Sequence, residues 1–166
     1  MRESVERHGG LVEKFIGDAV VAAFGVAESH EDDAMRACRA ALEMQERIVA
    51  LNDGLERRLG ASIAVRIGVN TGEVVTSAVR GTESFATGDS VNVAARLEQA
   101  AAAGEVLLGE ATYRLVRNAV QVLELEPFAA KGKSESVIAY RLLAVNSPGP
   151  APRRIGTPFA GRADEL

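Results

Sequence analysis

From Gly9 to Gly25 the chain reads GGLVEKFIGDAVVAAFG, and this stretch leaves little choice of local structure. Leu11, Val12, Phe15 and Ile16 form one apolar run, residues 19 to 24 form another, and Gly17-Asp18 separates them. Glycine tolerates positive φ and aspartate hydrogen-bonds its own backbone, so the pattern predicts two strands joined by a tight turn. A carboxylate at such a tip sits on rigid backbone, as a hard cation such as Mg²⁺ requires of an oxygen ligand. It also serves simply to make the turn, and both readings stand for Asp18. Lys14 is an ionisable residue in an otherwise apolar strand, four positions earlier.

The rest of the chain divides by periodicity. Residues 1 to 8 read as the last turns of a helix that Gly9-Gly10 ends. Ser29 is placed to cap the next helix, with Glu31-Asp32-Asp33 at the positive end of its dipole. Ala34, Cys38, Ala41, Leu42, Gln45, Ile48, Val49, Leu55 and Leu59 then recur at helical spacing until Gly60. Residues 62 to 69 alternate as a strand with one buried side, Asn70-Thr71-Gly72 turns the chain, and residues 73 to 79 read as its partner strand. Gly88-Asp89 opens a further helix, with Asp89 or Ser90 as cap. On that helix Asn92 and Arg96 are four apart and share a face, whereas Val93, Leu97 and Ala100 form the buried one. A strand at 105–108, a helix at 110–118 and strands near 120–125 and 137–143 complete an α+β domain with a largely antiparallel sheet. Residues 147 to 152 are a linker by composition.

Composition excludes several classes. A formal net charge of −4 offers no basic field for nucleic acid. Cys38 is the single cysteine, so there is no disulfide framework or cysteine-based zinc site, and a buried small hydrophobe is expected there. No apolar stretch approaches about 18 residues, so no membrane span is expected. The charged N-terminus carries no signal-peptide pattern, which makes a reducing, cytoplasmic setting the simplest inference.

The segments EKFIGDAVVAAFG, RIGVNTGEV (66–74), GDSVNVAARLE (88–98) and the late Lys131-Gly132, in this order, resemble the catalytic domain of class III adenylate/guanylate cyclases. The resemblance covers about residues 5 to 145, within a domain expected over residues 1–145, and implies a ferredoxin-like βαββαβ nucleotide cyclase fold. It implies a lyase that converts ATP into cyclic AMP and pyrophosphate in intracellular signalling, with two Mg²⁺ or Mn²⁺ ions. By the same carry-over Asp18 holds metal and Lys14 donates to N1 of adenine. Asn92 orients the ribose, Arg96 stabilises charge at the α-phosphate, and Lys131 or Lys133 reaches the terminal phosphates. A homodimer is implied, because in the family the hairpin residues and the helix residues of one site come from different subunits. Residues 146–166 resemble a linker and the opening of an ATPase domain, which suggests a fused or partner ATPase.

Plainer roles are open for each residue. Asn92 can cap a helix, Arg96 can pair with Glu98 or Glu110, Lys14 can snorkel from a strand edge, and Lys131 and Lys133 can be solvated loop charges. The chain also departs from the family. Phe85 stands where the partner of the base-reading lysine is usually Asp or Thr, so GTP is an alternative substrate. The family's first strand, with a further metal-binding aspartate, has no counterpart here, since no aspartate precedes Asp18. The sheet is therefore expected to lack its first strand and to leave two strand edges open. The 166-residue polypeptide alone is expected to show little cyclase activity. The alternative function is a cyclase-homology module that binds nucleotide or a partner and regulates a fused ATPase.

Overall fold

A computed structural model describes residues 1–26, 28–78, 84–129 and 136–146. Helix α1 (Arg2–Arg7) is six residues long, too short to persist in water by itself. Its stability comes from α2 (Asp33–Leu59), against which it packs. Between the two helices Ser4 Oγ donates to Glu43 Oε1 at 3.1 Å and Arg7 Nη1 meets the same oxygen at 2.7 Å. His8 Nε2 lies 2.9 Å from Glu43 Oε2, and Arg47 Nη2 lies 2.6 Å from Glu3 Oε2. Val5 is buried beneath this polar layer.

The chain leaves α1 through Gly10, where a Cβ would come within 3 Å of both Val5 and the Phe24 ring. Strands β1 (Leu11–Ile16) and β2 (Ala19–Ala23) then form the expected hairpin, with Ile16 opposite Ala19. Gly17 has φ +62°, the positive value that a type II′ connection needs at its first central position. The register slips between Val12 and Lys14, making Glu13 a bulge and leaving Val12 and Glu13 both buried.

Helix α2 runs 27 residues and stops at Gly60, a left-handed residue whose amide donates to Glu56 O. Ser29 is not its cap. The N-cap is Asp32, without a side-chain cap bond, because the chain makes one more turn in which the His30 amide donates to Asp33 Oδ2 at 2.7 Å. Asp32 instead accepts from Arg36 Nε, a hydrogen bond that holds its carboxyl below the usual range.

The predicted strand at 62–69 shortens to β3 (Ile67–Val69). Ahead of it the backbone is satisfied differently: Asn52 exchanges two hydrogen bonds with Ile63, and Gln45 Nε2 and Gly104 N both donate to Val65 O. Strand β4 (Val75–Ala78) pairs with β5 (Ser84–Thr87) and not, as expected, with β3. Helix α3 (Asp89–Ala100) follows, and its N-cap is Gly88 instead of Asp89 or Ser90. Then come β6 (Val106–Gly109), α4 (Glu110–Val116), β7 (Val120–Glu124), the two-residue strands β8 (Phe128–Ala129) and β9 (Ser136–Val137), and β10 (Ala139–Val145).

The principal sheet has the order β3-β6-β10-β7. Its β3–β6 pair is parallel and the other two are antiparallel, in keeping with a largely antiparallel sheet. Strand β6 is buried along its length. Val106 and Leu108 face α2 and α4, joining Met35, Cys38, Ala41, Val116, Val120 and Leu142 in one cluster. Leu107 faces α3 and joins Leu97, Ala101 and Ala139, so Ala101 takes the buried place expected of Ala100, which is exposed. The β1–β2 ladder stands outside this sheet, and among the described residues β2 and β3 each present an edge with no strand partner.

Two outcomes follow. A Cβ on Gly68 would collide with the Ala94 carbonyl oxygen and lie 2.5 Å from Glu98 N, both backbone atoms that cannot step aside. Gly68→Ala is expected to lower unfolding free energy by about 1–3 kcal/mol, read as a lower urea midpoint. Burial pushes the Cys38 thiol up to about 12, so it stays protonated at neutral pH. A disulfide reagent should label it only as the protein unfolds; rapid labelling of folded protein would contradict this packing.

Candidate active site

The hairpin tip and helix α3 carry the residues singled out in the sequence. Asp18 is exposed at the tip of β1–β2, beside Gly17. Lys14 is half-buried in β1, in register with Val21. On α3, at about 100° per residue, Asn92 and Arg96 fall about 40° apart. Ser90, Ala94, Leu97 and Ala101 cluster on the opposite side, the one that packs on β3 and β6. The amide and the guanidinium are thus held outward by a helix whose other face is fixed in the core.

The plainer roles for these residues lose their partners. Glu98 is engaged by Arg66 at 3.0 Å and Glu110 by Arg114. Asn92 is not a cap, since Gly88 occupies that position. Among the described residues, Asp18, Asn92 and Arg96 form no ion pair or side-chain hydrogen bond with one another or with a neighbour. Each presents a polar group to solvent with its bonding capacity open to a ligand.

Asn92 and Arg96 share a face of α3, and Lys14 and Asp18 share the β1–β2 hairpin, so the two pairs are carried by different elements. The hairpin packs on α1 and β5, whereas α3 packs on β3, β6 and β5. Strand β5, which touches both, contains Phe85 in register with Ser77. The Phe85 side chain, Lys131, Lys133 and residues 147–166 lie outside the described residues. No helix among the described residues is long and apolar enough to cross a membrane.

A divalent cation can be tested against this arrangement. No group of three or more His, Cys, Asp or Glu gathers among the described residues. A cation at the hairpin tip would have Asp18 as its one carboxylate there among the described residues, a donor set that would fit Mg²⁺ or Mn²⁺ only where phosphate oxygens complete the shell.

Sequence reasoning passed over the residues that seat α3. Asn70 Nδ2 donates to Ser90 O at 3.1 Å, Ser90 Oγ donates to Glu73 O at 3.0 Å, and Thr71 Oγ1 lies 2.9 Å from Thr112 Oγ1. Asn70-Thr71-Gly72 reads as turn chemistry, and only contacts distant in sequence show that it also ties helices together.

These features have close counterparts. Residues 1–144 match the family model described as the Adenylate and Guanylate cyclase catalytic domain. Adenylate cyclase 1 of Rhizobium meliloti (strain 1021) is 31% identical over 166 residues, which is 97% of this chain and 24% of that protein. The chain thus spans about a quarter of that relative's length. The adenylyl cyclase CyaB from P. aeruginosa superposes with a TM-score of 0.79 at 27% identity, covering 87% of this chain and 76% of that one. For the guanylyl cyclase Cya2 the values are 0.80 and 29%, covering 88% and 76%. The chain belongs to the adenylate and guanylate cyclase catalytic domain family, and its α+β architecture is the cyclase fold.

Because Asp18 and Asn92 are exposed and bear no part of the core, Asp18→Asn and Asn92→Ala are expected to leave unfolding free energy within about 0.5 kcal/mol of the parent. Urea denaturation checks this, and a larger loss would mean that either side chain has a structural duty.

Proposed function

We propose that this domain converts ATP into 3′,5′-cyclic AMP and pyrophosphate, with a site completed by two copies of the chain. The ribose 3′-oxygen attacks the α-phosphorus, the bond from that phosphorus to the bridging oxygen of the β-phosphate breaks, and pyrophosphate carries away the electron pair. The hydroxyl proton is released to solvent. The observation that carries the reading is the pairing of Asn92 and Arg96 on the outward face of α3, unengaged among the described residues.

Each residue has a part suited to its chemistry. Arg96 supplies a permanent, forked positive charge to the α-phosphate oxygens as negative charge gathers there. Asn92 offers an amide four residues earlier on the same face, to fix the ribose and with it the direction of attack. Lys14 donates to the unprotonated N1 of adenine, which guanine does not offer. Asp18 would hold Mg²⁺ or Mn²⁺, which supplies Lewis-acid stabilisation of the phosphates and acidifies the attacking hydroxyl when bound. The hairpin and α3 do not pack extensively on one another, which favours a site assembled from the Asp18 of one copy and the Arg96 of another.

The family relatives include both adenylyl and guanylyl cyclases, so base choice rests on this chain's own residues. Lys14 favours ATP. Phe85 offers no hydrogen-bond acceptor to the purine amino group, which keeps GTP as a competitor. It also favours a second reading, in which the domain binds nucleotide without turning it over and acts on a fused ATPase.

The test assays the full-length protein with ATP or GTP in Mg²⁺ and in Mn²⁺. Asp18→Asn and Arg96→Ala are each expected to reduce cyclic AMP formation by at least about 10²-fold. Unchanged activity in Asp18→Asn would end the metal assignment, and a preference for GTP would end the Lys14 assignment. Nucleotide binding with no cyclic product in the parent would favour the second reading.

A further inference from the structure

The residues proposed to act on the α-phosphate and ribose are carried by a helix without a side-chain cap bond at its N-terminus. Gly88 occupies the N-cap of α3 and contributes no side chain. The first turn is tied to the loop that follows β3. Asn70, immediately after β3, donates from Nδ2 to Ser90 O at 3.1 Å. Its Oδ1 occupies the space over Gly109 that a side chain there would fill. Ser90 returns a bond from Oγ to Glu73 O at 3.0 Å, and Gly72 leaves room for that hydroxyl where a Cβ would strike it. The far side of the same loop is anchored by Thr71 to the fully buried Thr112, whose hydroxyl also reaches Val69 O at 3.4 Å.

We infer that Asn70 is a positioning residue: through Ser90 it sets the depth and rotation of the first turn of α3, and thereby where Asn92 and Arg96 meet the substrate. The inference rests on the two-copy site proposed above. Arg96 lies six residues beyond Ser90, about 9 Å along the helix axis, so a small tilt at the first turn becomes a displacement at the guanidinium. A displacement of about 1 Å at a reacting group costs about 10²-fold in rate. Asn70 touches no substrate in this account. Its amide acts only by where it holds the helix.

The test uses the full-length protein and the variants Asn70→Asp, which keeps the shape but removes the donor, and Asn70→Ala, which removes the amide altogether. Each is expected to lower kcat at least about 10-fold with KM for ATP changed less than about 3-fold, since a misplaced Arg96 weakens the transition state more than the ground state. Mixing variants then assigns the defect to one half of the site. A dimer of Asp18→Asn with an Asn70 variant keeps one site with an intact hairpin and an intact α3. Half the dimers in an equal mixture are mixed and each has one good site of two, so activity should recover to about a quarter of the parent's. Mixed with Arg96→Ala, an Asn70 variant should recover nothing, because both lesions lie in the same half.

Recovery with Arg96→Ala equal to that with Asp18→Asn would overturn the inference, as would parental kcat in both Asn70 variants. Recovery with neither partner, while Asp18→Asn and Arg96→Ala recover each other, would also overturn it and make Asn70 a residue of the general fold. The mixture of Asp18→Asn with Arg96→Ala reads the two-copy site by itself. If that pair fails to recover, the two-copy site falls, and Asn70 is judged on its kcat alone: a loss at constant KM keeps the positioning role, and no loss removes it.

Discussion

Helix α3 lies so close to β3 that Gly68 has no room for a Cβ, and most of the domain's organisation depends on that contact. The missing carbon lets the Ala94 and Glu98 backbone sit directly on the strand, which brings Leu97 down onto Leu107 in the sheet below. Both leucines are completely buried, and burying such a side chain contributes about 1.5–3 kcal/mol. With the inner face of α3 fixed in this way, helical geometry leaves Asn92 and Arg96 facing outward. The outward residues are therefore positioned by packing that they take no part in.

A second contact does comparable work for the hairpin. Strand β1 follows directly from α1 through the crowded Gly10, so the hairpin's direction depends on how α1 is seated. That seat is the cluster around Glu43. Partial burial works to raise its pKa, but hydrogen bonds from His8 and Ser4 and the nearby Arg7 charge outweigh this and hold the carboxyl below its ordinary range. A carboxyl depressed in the fold contributes stability when ionised and loses that contribution as pH falls through its folded-state value. The Glu3, Arg7 and Arg47 side chains around it are exposed, so screening makes the cluster more a means of alignment than a large source of stability.

How much of this was readable beforehand follows from where each signal lies in the chain. The hairpin, the long stripe of α2 and the face shared by Asn92 and Arg96 are local patterns, and periodicity finds them. The parallel pairing of Ile67 with Val106 joins residues far apart in sequence, and no local pattern announces it. The same holds for β4, which reads as a partner of β3 but pairs with β5, while Ser90 on α3 bonds Glu73 just ahead of it. At Glu13 a bulge interrupts strict alternation, and at Ala101 a residue beyond the last helical turn takes the core position predicted one place earlier. Asp18, Asn92 and Arg96 stand out through the family's motifs, whereas the bond from Asn70 to Ser90 O is hidden behind the turn propensity of Asn70.

The division between scaffold and reactive groups has an energetic logic. A carboxylate on a hairpin tip and a guanidinium on an outward helix face remain hydrated, so neither incurs the desolvation cost that would accompany a buried charge. They can be unengaged at rest without destabilising the fold. In the proposed reaction the penalty would move to substrate binding, where a triphosphate would supply the opposing charge for Arg96 and share a cation with Asp18. Asn70 stands between these two economies. It is partly buried and hydrogen-bonded like a structural residue, yet the strand it follows, the helix turn it holds and the outward pair beyond that turn form one continuous path from the core to the face proposed to meet substrate.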